Sequence, residues 1–380
     1  MHVLILPSWY KTKRNRLHGS FFKEQALALQ KQGIKVTIAF NEVWPITLIG
    51  KVNEKRGITV EDDDGLKVYR YKDFNFFPKN PLMFRSFNKR FDKLFKRVEK
   101  EQGKIDIIHG HSSFWAGIGG AYLKRKYDIP LVITEHSSLK HSRYVKDSYI
   151  KYIVDSYKKA DRLISVGENL KKELYDLSGR EDIKVINNIV DLSKFSLNND
   201  DNKSKDTVFF SCGFLDMGKG YDVLIKSFTK EFKGKNAILK IGGEGEERLN
   251  LESLIKDLDV KDQVILLGEL KREEVAEEMK NCDIFVLASR HETFGVVYIE
   301  ALASGKPIIG TKNGGAEEII KDYNGLLVQI DNIEELSKAM QYLKENKEKY
   351  NKFKIREKCI EKYSEENIIP KIIKVYKELL

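Results

Sequence analysis

Two glutamates, Glu292 and Glu300, stand eight residues apart in the segment Ser289-Arg-His-Glu-Thr-Phe-Gly-Val-Val-Tyr-Ile-Glu-Ala-Leu-Ala-Ser-Gly-Lys-Pro307. The segment follows an apolar run and enters a helical pattern that begins near Gly295 and is stopped by Gly305 and Pro307. Glu292 therefore belongs to the loop before a helix, and Glu300 lies about one and a half turns inside it. A loop that leaves the C-terminal end of a parallel strand and feeds a helix is where open α/β sheets bind ligands. Backbone amides around Phe294, Gly295 and Val296, at the positive end of that helix, suit a phosphate, and Gly295 has no side chain to obstruct its approach.

Such a site needs elements to hold it, and the chain alternates strand-like and helix-like segments. Residues 2–6 are a short apolar run, and 20–32 place Phe21, Ala26, Leu27 and Leu29 at helical spacing. Gly33 sits where a helix C-terminus prefers glycine, and 34–40 are strand-like. Further units are 105–109, 114–127, 131–135, 162–166 and 184–186. A polar stretch, 196–206, reads as a linker. The rhythm resumes at 207–211, 221–231, 237–241, 263–267, 283–288, 296–304 and 307–311. Parallel strands need helical crossovers, so this alternation predicts two doubly wound α/β domains, with a cleft between them. No repeat of 20–50 residues is visible, which excludes solenoids and propellers. Glu61-Asp-Asp-Asp64 lies between two strand-like runs, 58–60 and 66–71, so Asp64-Gly65 predicts a hairpin turn rather than a metal cluster. The last ~30 residues are charged and helical in pattern, ending in Ile372, Val375, Tyr376 and Leu379.

A length of 380 residues supports two domains, and 41% hydrophobic residues with only 7 Pro exclude a disordered or low-complexity chain. No apolar run approaches the ~20 residues of a bilayer span. The start carries no basic leader, and Cys212, Cys282 and Cys359 have no metal or disulfide spacing. These features predict a reducing cytoplasm. The net charge of +10 is uneven: residues 1–190 hold 36 Lys+Arg against 22 Asp+Glu, which points to an anionic surface or ligand for that half. Lys11-Thr-Lys-Arg-Asn-Arg16 follows the first strand, on the side expected for an acceptor. Residues 81–101 set Phe84, Phe87, Phe91, Leu94, Phe95 and Val98 on one helical face, with Arg85, Lys89, Arg90, Lys93, Lys96, Arg97 and Lys100 around the rest. Phenylalanines packed inward with basic flanks on headgroups would make this helix a peripheral contact with an anionic membrane, on its inner face. No nucleic-acid motif accompanies the charges, and no nucleic-acid partner is expected.

Seven motifs, in order along nearly the whole chain, resemble those of family-four glycosyltransferases of the GT-B fold, of the bacterial surface-polysaccharide type. Glu292 and Glu300 match the Glu-x7-Glu motif. Gly213-Phe-Leu-Asp-Met-Gly-Lys-Gly220 is similar to the phosphate-binding loop, Gly242-Gly-Glu-Gly245 to the glycine turn after the next strand, and Gly268-Glu-Leu270 to the base-facing turn. Residues 188–191 stand where an Asn-Gly-Val-Asp segment closes the first domain, with Ile189 in place of glycine. Gly19-Ser20 opens a helix as the family's glycine loop does, and Thr134-Glu-His136 resembles the segment with the cleft histidine. One departure bears on phosphate binding. Phe214 stands where the family often has arginine, which leaves Lys219 as the loop's cation unless Arg290, Lys271 or a first-domain base substitutes.

The resemblance implies two Rossmann-like domains facing a central cleft. Residues 1–190 would form the acceptor side, with a C-terminal helix at 365–380 crossing back to it, and 191–364 would hold a UDP- or GDP-sugar. It implies a retaining hexosyltransferase acting on a glycan or lipid-linked sugar, with Glu292, Lys219 and His136 in catalytic roles. Glu300 would take the ribose hydroxyls, and Phe294, Gly295, Val296, Leu270, Gly243, Gly19 and Ser20 would complete the donor contacts. No metal or other cofactor is implied, because helix ends and lysine hold the diphosphate. A glycosidase would use the two glutamates as acid and nucleophile, but Glu300 inside an apolar helix is better placed for ribose. A non-catalytic GT-B partner subunit, motivated by Phe214, and a nucleotide-sugar epimerase remain as alternatives.

Overall fold

The computed structural model describes residues 1–15, 19–140, 142, 145–198 and 205–380. Arg16 of the basic loop and positions 199–204 of the expected linker lie outside the described residues. The chain divides into two compact units, Met1–Ile189 with Glu365–Leu380, and Val190–Ser364.

The first unit contains strands β1 (His2–Pro7), β2 (Lys35–Pro45), β3 (Gly57–Asp63), β4 (Leu66–Asn75), β5 (Ile107–His111), β6 (Leu131–Glu135), β7 (Arg162–Ser165) and β8 (Lys184–Val185), in the sheet order β3-β4-β2-β1-β5-β6-β7-β8. All neighbours are parallel except β3 and β4. Strand β1 is buried along its full length, as a parallel strand covered on both faces must be, and its Val-Leu-Ile-Leu run meets that demand. The hairpin is the one expected at Asp64-Gly65. Both residues have positive φ (54° and 89°), which a two-residue hairpin turn that follows the strands' twist requires. Its acidic run is spent on local bonds: Asp62 accepts from the Gly65 N–H, and Asp63 accepts from Tyr10 at 2.9 Å and from Lys11 at 2.5 Å. Strand β2 runs five residues past the predicted end, to Pro45. Asn41 and Glu42 interrupt the apolar pattern but are buried, and Glu42 accepts from the Trp44 indole at 3.1 Å and from Arg70 at 3.3 Å.

The terminal helix Glu365–Lys377 belongs to this first unit. Ile368, Ile369, Ile372, Val375 and Tyr376 join one core with Val3, Ile5, Ala26, Leu29 and Val36. The Tyr376 hydroxyl lies 2.6 Å from His109 Nδ1, a bond between residues 267 apart in sequence.

The second unit contains β9 (Thr207–Cys212), β10 (Ala237–Gly242), β11 (Val264–Gly268), β12 (Ile284–Leu287), β13 (Ile308–Thr311) and β14 (Gly325–Val328), in the order β11-β10-β9-β12-β13-β14, all parallel. From β9 the chain builds outward to β11, then returns across β9 to start β12 on the other side. That reversal between β9 and β12 is the switch point at which doubly wound sheets bind ligands. Both units are thus the Rossmann-like parallel sheets predicted for a GT-B chain.

Replacing Tyr376 with Phe strands the buried His109 Nδ1. The change should cost the first unit about 1–3 kcal/mol. Trp9, Trp44 and Trp115 all lie in that unit, so urea unfolding followed by tryptophan fluorescence reads the effect, and an unchanged midpoint would refute the tether.

Candidate functional site

The two loops singled out by the sequence leave the C-terminal ends of β9 and β12, and they touch at the switch point. Gly220, at φ +64°, precedes the helix Tyr221–Phe232, and a Cβ there would lie 2.2 Å from the Ala288 carbonyl oxygen. Only glycine permits so close an approach. The Arg290 N–H donates to the Gly218 carbonyl at 2.8 Å. Its guanidinium donates to the Met217 carbonyl, to Asp222 at 3.1 Å and to Asp331 at 2.8 Å. Arg290 therefore clamps one loop to the other. Phe214 itself is largely exposed, and Leu215 is buried.

The clamp brings Lys219 and Glu292 together. Lys219 Nζ lies 2.5 Å from Glu292 Oε1, and the Ser289 hydroxyl donates to the same oxygen at 2.9 Å. The ion pair is only partly wet, with 25% of the lysine side chain and 11% of the glutamate side chain exposed. Burial disfavours the ammonium, but the adjacent Glu292 charge outweighs it, and the Lys219 pKa is raised. The lysine is therefore fully charged at neutral pH. Asn313, which the sequence reading missed, buttresses the loop: its amide donates to the Ser289 carbonyl at 3.2 Å. No motif marked it.

Gly295, at φ +76°, turns the loop into the helix Val296–Ala303. Val296 is half-buried, and the Phe294 ring packs edge-on against Tyr363 at 5.8 Å, so Phe294 can serve a ligand only through its backbone. Glu300 is 4% exposed and accepts from Arg272 Nη1 at 2.9 Å. Arg272 opens the helix Arg272–Asn281, just beyond the turn after β11, and its guanidinium lies 5.5 Å from the Phe195 ring centroid. It was absent from the sequence candidates, which named its neighbour Lys271. The available signal was Glu300 itself, because a carboxylate inside an apolar helix needs a partner. The turns after β9, β10 and β11 are laced by backbone bonds, Gly213 N–H to Gly242 O at 3.0 Å and Gly243 N–H to Gly268 O at 2.7 Å. Leu270 lies so close over the end of β10 that a Cβ on Gly242 would come within 2.5 Å of it. Lys219, Glu292, Glu300, Phe294, Gly295, Val296, Leu270 and Gly243 thus belong to one unit, around the C-terminal edge of one sheet.

Gly19, Ser20 and His136 belong to the other unit. Gly19, in left-handed conformation, precedes the helix Ser20–Lys31 and accepts from the Phe22 and Lys23 N–H groups. His136 is buried with both ring nitrogens engaged, Nδ1 2.8 Å from Asn188 Oδ1 and Nε2 2.9 Å from His111 Nδ1. The Asn188 oxygen can only accept, so the His136 proton sits on Nδ1, and His111 donates from its own Nδ1 to His136 Nε2. Gln25 lies 3.4 Å from the remaining His111 nitrogen. Burial holds His109 and His136 at about 3, and burial also puts His111 well below its usual value. The three rings are neutral.

The second unit thus sets a lysine–glutamate pair and a helix N-terminus at the switch point of a Rossmann-ordered sheet, and the first unit holds another sheet of the same kind. The family model of glycosyl transferases group 1 matches residues 193–359, and that of Glycosyltransferase Family 4 matches residues 19–194. An uncharacterized glycosyltransferase of Methanocaldococcus jannaschii is 32% identical over 76% of this chain and 79% of its own length. The alpha-monoglucosyldiacylglycerol synthase of Streptococcus pneumoniae is 26% identical over 71% of this chain and 67% of its own. Among solved structures, Anabaena HepE in complex with UDP superposes with a TM-score of 0.79 at 19% identity, over 100% of both chains. The chain belongs to the glycosyltransferases of these two joined families, and its fold is GT-B.

The neutral histidines predict an acid-sensitive first unit. Between about pH 6.5 and pH 3 the unfolded chain binds protons that the native rings refuse, so stability present above pH 6.5 is lost as the pH falls through this window. At pH 5 the loss should be roughly 2 kcal/mol for each of His109 and His136. Urea midpoints by tryptophan fluorescence at pH 7 and pH 5 measure it, and equal midpoints would count against neutral burial.

Proposed function

We propose that the chain is a retaining hexosyltransferase that moves a sugar from a UDP- or GDP-sugar to a glycan or lipid-linked acceptor in cell-surface polysaccharide or glycolipid synthesis. The observation that carries this reading is the Lys219–Glu292 ion pair at the switch point, beside the N-terminus of the helix Val296–Ala303. HepE, which binds UDP, and the pneumococcal glycolipid synthase support the donor and acceptor classes by similarity.

In this mechanism the diphosphate takes Lys219 away from Glu292 and meets the backbone around Gly295, so a cation already charged and already positioned compensates the leaving group. Glu292, released, orients the sugar hydroxyls beside the anomeric carbon. Glu300, held by Arg272, accepts from the ribose diol. The acceptor oxygen forms its bond to the anomeric carbon on the face from which the diphosphate departs, and the departing phosphate takes the acceptor proton. No protein base and no divalent ion are needed. His136 holds a neutral tautomer fixed by Asn188, and either of its nitrogens becomes available to a hydroxyl only when one of its two bonds is exchanged.

Two substitutions separate the roles. Glu292→Gln should lower turnover about 10²-fold while UDP or GDP binds as tightly or more tightly, because Lys219 loses its competitor. Unchanged turnover would remove Glu292 from the reaction. Lys219→Ala should weaken the nucleoside diphosphate roughly 10- to 100-fold and leave the nucleoside unaffected, since a charge-assisted bond is worth about 1.5–3 kcal/mol. Equal losses for both ligands would contradict a phosphate role, and both constants are read by calorimetry in EDTA. Absence of any diphosphate binding would favour the non-catalytic partner subunit that Phe214 suggests.

A further inference from the structure

The helix Leu82–Gln102 has a different use for its aromatic face from the one a membrane would need. Phe84, Phe87, Phe91, Leu94, Phe95 and Val98 are all buried. Among the described residues no helix is long and apolar enough to cross a membrane. The apolar surface that remains outside lies just before the helix and at its first residue: Phe76 is 51% exposed, Phe77 43% and Leu82 45%. Leu82 also lines a cavity of about 470 Å³ that opens among this helix and the helices Ile118–Tyr127 and Asp147–Lys159. Phe84 and Tyr152 give the cavity an aromatic wall, their rings 4.9 Å apart, and Arg85, Arg125 and Lys159 contribute three cations.

The cations differ in their commitments. Lys159 pairs with Asp155 at 2.5 Å. Among the described residues neither Arg85 nor Arg125 has an ion-pair or hydrogen-bond partner for its side chain, whereas Arg56, Arg70, Arg90, Arg97, Arg162 and Arg180 of the same unit each hold a carboxylate. Two uncommitted guanidiniums on one aromatic-walled cavity match a phosphate, whose oxygens accept bidentate bonds. The exposed Phe76 and Phe77 precede the cavity wall directly in the chain, with the Phe77 carbonyl accepting from the N–H of the lining residue Asn80 at 3.2 Å, and they match the apolar layer just beneath such phosphates at a bilayer surface, where aromatic side chains bury their rings.

We propose that this cavity seats the phosphate of an anionic phospholipid headgroup, with Phe76, Phe77 and Leu82 entering the interface beside it. The site makes the first unit a peripheral membrane anchor. It stands apart from sugar transfer, because it uses none of the residues assigned to the nucleotide.

The test is co-sedimentation of the full chain with vesicles, without nucleotide. Vesicles of phosphatidylglycerol and phosphatidylcholine should carry the chain down, and phosphatidylcholine vesicles should not. A cation near an anionic surface adds about a fivefold gain in partitioning, so Arg85→Gln with Arg125→Gln should weaken sedimentation roughly 20- to 30-fold. Lys96→Gln with Lys100→Gln, farther along the same helix and not lining the cavity, should weaken it less than the arginine pair. Phe76→Ser with Phe77→Ser should weaken binding and make what remains more sensitive to salt. Equal losses from the lysine and arginine pairs would overturn the cavity in favour of diffuse charge. Failure to sediment with anionic vesicles would overturn it too. So would a melting shift with glycerol phosphate in a chain that ignores vesicles, since the ligand would then be a soluble phosphate. UDP affinity, measured in parallel on the arginine variant, should be unchanged and keeps this result separate from the donor site.

Discussion

Much of the second unit's architecture converges on one ion pair. Lys219 and Glu292 lie 73 residues apart in sequence and on loops from different strands, so their contact requires β9 and β12 to be neighbours. Only the strand reversal at the switch point makes them so. The same contact requires the loops to meet, and Gly220 against Ala288 and Arg290 against the Met217 and Gly218 carbonyls supply that. Drawing two opposite charges out of water costs desolvation that their attraction offsets only when the geometry is good. Here Ser289 adds a hydrogen bond to the carboxylate, and part of each side chain stays wet. The pair is held firmly enough to preorganise both charges, and part of it stays open to solvent.

Glu300 faces the same physical problem in a drier place. Its helix is apolar throughout, and an ionised carboxylate there is tolerable only with a cation beside it. Arg272 answers from a helix that follows another strand, and Phe195 supports its guanidinium through a cation–ring contact. Glu300 is thereby tied to the turn that follows β11, where Leu270 sits. The buried ion pair and the packing of three strand-end turns become one network.

Legibility in the sequence follows the range of the interactions. Strands β1, β6 and β9, the hairpin at Asp64-Gly65, and the loop from Ser289 to Gly295 announce themselves through local pattern, because burial on both faces or positive φ restricts which residues can stand there. The continuation of β2 through Asn41 and Glu42 does not, since it takes Arg70, on β4, together with Trp44 two residues on, to make the buried Glu42 acceptable in a core. Arg272, Asn313 and the partners of His136 share this property. Each is defined by a contact 24 to 52 residues away, and nothing in its own neighbourhood marks it. Residues 81–101 differ again, with the phenylalanines packed inward as expected from the sequence. Their pattern is strong, but a basic helix with an aromatic face looks the same whether that face meets a core or a membrane, and burial of the phenylalanines decides it.

The two units therefore bury polarity by different means. In the second unit charges are buried in pairs. In the first, His109, His111 and His136 are buried uncharged, bonded in turn to Tyr376, Thr134, Gln25 and Asn188. Neutral rings offer no charge for an anion to compete for, but the proton positions on His136 and His111 are fixed in turn by the Asn188 acceptor. Losing one link does not free a group for binding so much as leave a buried nitrogen unsatisfied. Substitutions that spare the fold are therefore expected more often among the ion-paired residues of the second unit than in the histidine chain, where position and stability are carried by the same bonds.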